Sequence, residues 1–133
     1  MQETTSPLNI WNKTILDNDP SGLYDILDDS FEFYSPAVFK SKEKYMGYIY
    51  LLAASQTFLT SDFKYTRQLV DEKQAVLEFE CTMDGVTVNG IDMFKWNENN
   101  KLTEMKVMIR TEKALEAVKQ EMTKHLSNPE VWR

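Results

Sequence analysis

The chain has 133 residues, 42% of them apolar and 27% charged, the proportions of a folded, water-soluble protein. A net charge of −6 argues against a nucleic-acid or anionic-membrane partner. One Cys and one His exclude an internal disulfide and the usual zinc sites, so neither a metal nor another cofactor is expected.

The length suits one domain over residues 1–133, able to bury roughly two-thirds of its unfolded surface. The first residues, MQETTSPLN, carry neither a basic start nor an apolar run, and the longest apolar block, Tyr48 to Ala54, is too short to span a bilayer. A cytoplasmic location is the expectation. Lys40, Lys42 and Lys44 are the one local basic cluster, which a solvated helix start explains.

Ser6-Pro7 is a helix start, a hydroxyl cap followed by Pro where its missing N–H costs nothing, and Leu8, Trp11 and Ile15 follow at helical spacing. Asn18-Asp19-Pro20 stops that helix and predicts a second one, capped by Asp19, with Leu23, Ile26 and Leu27 as its buried side. Phe31 to Ser35 alternates as a short strand closed by Pro36. From Ser41 to about Leu59 the pattern is helical, with Tyr45, Tyr48, Ile49 and Leu52 as the apolar stripe.

The second half predicts sheet. Phe63 to Val70 and Gln74 to Met83 read as strands. Asp84-Gly85 then forms a tight hairpin, because both positions favour positive φ. That turn pairs Leu77 with Asp92 and Phe79 with Gly90. Val86, Val88, Gly90, Asp92, Phe94 and Trp96 share one face of the next strand, which places a carboxyl group on an apolar surface. Asn97 to Asn100 supplies the next turn. If Trp96 pairs with Lys101, Asp92 lies opposite Met105, and Thr103, Met105, Val107 and Ile109 share its face. Thr111 then caps a closing helix with Leu115, Val118, Met122 and Leu126 as its stripe. The order of elements predicts an α+β domain, with helices on one face of a curved antiparallel sheet.

Several pieces stand in a recognisable order: Asp19-Pro20 before Leu23, Phe33-Tyr34-Ser35-Pro36, Gly90-Ile91-Asp92, Leu102-Thr103-Glu104 and Val107-Met108-Ile109-Arg110. From Leu8 to Leu126 the sequence resembles the nuclear transport factor 2-like superfamily, in particular its SnoaL-like members. The resemblance implies a cone, in which a strongly bent antiparallel sheet and its helices enclose a pocket. Ketosteroid isomerase, within that superfamily, uses a protonated Asp in an apolar site as an oxyanion donor. Asp92 stands at that position. The isomerase's helix-one Tyr corresponds to Trp11 and its general-base Asp to Ser35, so two of three functional groups are replaced. The acid that SnoaL-type cyclases carry on the last strand corresponds to Val107.

Asp92 supports two readings. Desolvation keeps it neutral, so that it donates to a ligand oxygen and serves as the candidate catalytic residue. Alternatively it is ionised and accepts the Trp11 indole N–H or backbone donors. Trp11, Ser35, Tyr48, Phe79, Phe94, Met105 and Val107 are the candidate lining of a ligand pocket around it. The function expected is a SnoaL-like domain binding a small, mostly apolar ligand. The alternatives are an isomerase, cyclase or lyase using Asp92, and an interaction module whose cavity is filled by its own side chains. Ile91, Met93, Leu102 and Met108 on the outer sheet face predict a homodimer.

Overall fold

Ser6 caps the first helix: its Oγ accepts from the Leu8 N–H at 3.2 Å, Pro7 opens the helix, and Asn18 closes it in left-handed backbone at φ 55°. In the computed structural model, which describes residues 6–126, this helix, α1 (Pro7–Asp17), buries Leu8, Trp11 and Ile15. It is followed by β1 (Leu27–Tyr34), α2 (Lys44–Phe58), β2 (Lys64–Asp71), β3 (Gln74–Met83), β4 (Val86–Trp96), β5 (Leu102–Arg110) and α3 (Glu112–Thr123).

The helix expected after Asp19 is a single 3-10 turn over Tyr24–Ile26. Asp19 does not cap it: its carboxylate accepts from the Ser21 N–H and Oγ at 3.1 and 2.6 Å, closing a local turn ahead of the 3-10 residues, whose cap position is Leu23 with no side-chain hydrogen bond. The chain then extends, because Leu27, Phe31 and Phe33 are buried as one side of a strand longer than the expected one. Tertiary burial here overrides a local helical spacing.

The sheet runs β1-β5-β4-β3-β2. Strands β2 to β5 form the expected antiparallel meander, and β1 joins β5 in parallel, so the curved sheet is mixed. The hairpin turn at Asp84-Gly85 has φ values of 51° and 77°, and it sets the β3–β4 register as expected, Leu77 opposite Asp92 and Phe79 opposite Gly90. The β4–β5 register differs from expectation. Trp96 faces Leu102 and Lys95 faces Glu104, leaving Thr103 as an extra residue, and beyond this bulge Asp92 faces Val107. Met105 lies opposite Phe94 instead. The offset from the expected pairing is two residues, so Met105, Val107 and Ile109 keep the face of Asp92. The bulge turns Leu102 inward, where it is fully buried and not on the outer face.

The helices cover the concave side, α2 against β1 and α3 against β4 and β5, with α1 beside α2. In α2 the buried set is centred on Tyr50 and Leu51, and Tyr45 is 57% exposed. Apolar residues run almost completely round this helix, so spacing alone does not choose its buried side. Packing does, through contacts such as Tyr50 on the Phe33 ring at 5.6 Å. In α3, Val118 and Met122 are buried as the stripe predicts, joined by Ala114 and Ala117, whereas Leu115 is half-buried; Leu126, the last residue of the expected stripe, is buried just beyond the end of the helix. Among the described residues, no helix is long and apolar enough to cross a membrane.

Candidate functional site

Three elements deliver the polar centre of the concave side. Trp11 sits on α1, Tyr65 on β2 and Asp92 on β4. Tyr65 shares its face with Phe79 by direct pairing, and Phe79 lies opposite Gly90, where a Cβ would meet the Phe79 ring at 2.6 Å. A glycine at that position gives the Phe79 ring its room beside Asp92. The Trp11 indole N–H donates to Tyr65 Oη at 2.7 Å, and the Tyr65 O–H donates to Asp92 Oδ2 at 2.6 Å. The second Asp92 oxygen makes no hydrogen bond to any described residue.

Asp92 is only 4% exposed. Burial, partly offset by the Tyr65 hydrogen bond, pushes its carboxyl up to about 7. Burial first, and then the neighbouring Asp92 carboxylate, holds the Tyr65 hydroxyl well above its ordinary range. Tyr65 therefore stays protonated, and Asp92 alone titrates near neutrality.

Asp92 opens onto a cavity of about 40 Å³, with Trp11, Ile15, Phe33, Pro36, Leu51, Phe79, Met105, Val107, Ile109, Val118 and Met122 among its walls. Asp92 is the one titratable side chain among the described lining residues. A space of this size admits a few water-sized groups, well short of the roughly 150 Å³ that holds a benzene. Pro36, Val107 and Ile109 also line an outer groove of about 560 Å³ beside Tyr34, Phe39 and Lys106, so these three side chains form the wall between cavity and groove.

Five of the eight residues expected at the pocket come together: Trp11, Phe79, Asp92, Met105 and Val107. Ser35 stands on the rim groove, its Oγ accepting from the Ala37 and Val38 N–H groups at 3.2 and 3.0 Å. Tyr48 lies edge-on to Tyr24 at 5.0 Å, away from the cavity. Phe94 is buried 6.2 Å from the Trp11 ring and outside the cavity wall. Tyr65 is the functional residue that alternation does not reveal. Trp11 does donate to the polar centre, but through Tyr65 and not directly to Asp92.

No family model and no curated protein sequence matches the chain. Solved structures do. The chain is similar to a steroid delta-isomerase from Pseudomonas aeruginosa, at 28% identity over 94% of this chain and 93% of the other, with a TM-score of 0.84. It is also similar to a protein with a cystatin-like fold from Silicibacter pomeroyi DSS-3, at 21% identity, 96% and 90% coverage and a TM-score of 0.82. The chain has the nuclear transport factor 2-like fold. A structure described as a SnoaL-like polyketide cyclase, from Shewanella putrefaciens CN-32, shares this nuclear transport factor 2-like fold at 13% identity, covering 93% of this chain and 88% of the other with a TM-score of 0.63. The SnoaL-like resemblance read from the sequence agrees with these neighbours. At 21% and 13% identity, the latter two speak to the fold alone.

Proposed function

We propose that this SnoaL-like domain binds a small, mostly apolar ligand carrying one oxygen, with the free Asp92 oxygen as its polar anchor. The observation that supports it is a buried carboxyl with one oxygen taken by Tyr65 and the other lacking a described partner, in a wall that is otherwise apolar. Such a convergence of apolar lining and one oriented polar group is the usual chemistry of a small-molecule site. Below about pH 7 a neutral Asp92 donates to a ligand acceptor; above it the carboxylate repels one. The ligand fragment that enters the cavity is compact, and anything larger displaces Pro36, Val107 and Ile109.

Butan-2-one, with xenon as an apolar control, tests this through the methyl NMR signals of Met105 and Val107. The ketone binds more tightly at pH 5.5 than at pH 8.5, xenon is indifferent to pH, and Asp92→Asn keeps the ketone affinity at both values. Ketone binding independent of pH in the wild type defeats the proposal.

A second reading is an isomerase that shifts a proton. It is favoured by the 28% identity to a steroid delta-isomerase and by a carboxyl close to neutrality. The rest of a ketosteroid isomerase set is missing, since Trp11 and Ser35 stand in place of its Tyr and its base, and the Ser35 Oγ is already engaged by backbone. Asp92 would take a proton from the carbon between the carbonyl and alkene of pent-4-en-2-one and return it to the far alkene carbon. Rising enone absorbance that disappears in Asp92→Asn, with ketone binding retained, selects this reading. Absence of turnover in the wild type removes it.

We further propose a homodimer through the outer sheet face, where Leu69 and Met108 are 61% and 50% exposed and Ile91 and Met93 are half-buried. Light scattering should give twice the chain mass, and Met108→Asp should return it to one. A wild-type monomer at high concentration ends this proposal.

A further inference from the structure

A Trp indole nitrogen has a proton to give and no lone pair with which to accept. At 2.7 Å from Tyr65 Oη, Trp11 therefore occupies the acceptor side of that hydroxyl, and the phenolic proton has to point away from it. Asp92 Oδ2 is the acceptor that lies in the remaining direction, at 2.6 Å. A hydroxyl in this position cannot also receive a proton from Asp92 Oδ2 without losing either its indole bond or its own donation. The consequence reaches the cavity. A proton on Oδ2 would cost one of those two bonds, so the arrangement favours the Asp92 proton on Oδ1.

We infer that Trp11 is a positioning residue: through Tyr65 it fixes the direction of a buried relay, so that Oδ1 of Asp92 is the favoured atom of the carboxyl for proton exchange with the cavity. This deepens the ligand-binding reading of the same site, because it names the ligand atom. A neutral Asp92 takes a carbonyl or ether oxygen, and an ionised one takes a hydroxyl or amine proton, both at Oδ1. Without the indole, Tyr65 can turn and accept from a proton on Oδ2. The neutral carboxyl then gains an arrangement that the indole disfavours, and the cavity-facing oxygen becomes a mere acceptor for part of the time.

The relay is tested on the unliganded protein, so its failure is separate from failure to bind a ketone. In the wild type, the Trp11 indole proton and nitrogen signals should titrate with the same midpoint as the Asp92 carboxyl carbon, two hydrogen bonds away, and Trp96→Phe and Trp132→Phe, which remove the other two indoles of the sequence, assign the resonance by elimination. An indole signal that stays flat while Asp92 titrates overturns the inference. Tyr65→Phe should raise the proton affinity of Asp92 about tenfold, the size of one lost hydrogen bond to a charged group. Trp11→Phe should raise it by less, and in the Tyr65→Phe background should change it hardly at all, because its effect passes through the hydroxyl. Equal shifts in both backgrounds would assign Trp11 a bulk effect and defeat the relay. If Trp11→Phe does not fold, the wild-type titration decides the matter alone.

Discussion

Replacing Asp92 by Asn converts the site permanently into something close to its neutral form. The Asn carbonyl still accepts from Tyr65, and its NH2 group faces the cavity where Oδ1 stood. The two proteins should then differ in how stability depends on pH. In the unfolded chain Asp92 titrates near 3.8, and in the fold near 7. Below pH 3.8 both states of the wild type hold the proton, and the Asn protein should match it within about 1 kcal/mol. As pH rises from there, the unfolded chain releases a proton that the folded protein retains, and stability falls by about 1.4 kcal/mol per pH unit until the folded group also ionises. Across about three units the loss approaches 4 kcal/mol, and above pH 7 the difference is constant. Other carboxyl groups have the opposite sign: hydrogen bonds hold Asp19, Asp28 and Glu78 below their ordinary values, so their contributions are lost toward acid. These are common to both proteins and cancel in the difference. Urea unfolding followed by Trp fluorescence, from pH 3.5 to 8.5 at constant ionic strength, gives that difference directly. Asn should be the more stable residue at pH 8. A difference that is flat across the range would mean that Asp92 is not desolvated in the fold, and the electrostatic account of the site would fall with it.

Two further substitutions probe the scaffold under the site. A Cβ at position 90 would lie 2.5 Å from the Met108 carbonyl oxygen and 2.6 Å from Phe79 Cζ, so Gly90→Ala must either part β4 from β5 or push the Phe79 ring into the cavity. A loss of about 3 kcal/mol in chemical denaturation is expected; a loss below 1 would show that the ring moves freely. Ser6→Ala removes the hydroxyl that holds the Leu8 N–H, and should cost about 1 kcal/mol and fray the first turn that leads to Trp11, read by hydrogen exchange at Leu8. Unchanged protection there would mean that Pro7 alone starts the helix.

What the sequence by itself determined is local or periodic. Asp84-Gly85 set a two-residue turn, the turn set the β3–β4 register, and the register put Asp92 and Phe79 on the inner face, because a hairpin passes its geometry directly into the strands it joins. Ser6-Pro7 likewise determined where α1 begins. Tertiary structure decided the rest, at places where strict alternation fails. The bulge at Thr66 is the decisive one. Counted back from Val70 opposite Ala75, Thr66 would face Phe79 and Tyr65 would point outward; the extra residue reverses that parity and turns Tyr65 toward Asp92. The bulge at Thr103 in the same way sends Leu102 into the core. Local propensity does not distinguish one extra residue in a strand from none, so the partner of the buried acid emerges only when β2 is laid against β3. The buried side of α2 belongs with these, since a helix apolar nearly all round is oriented by what it packs on. So does the size of the cavity, which the packing of Leu51, Phe79, Met105 and Val118 limits to about 40 Å³.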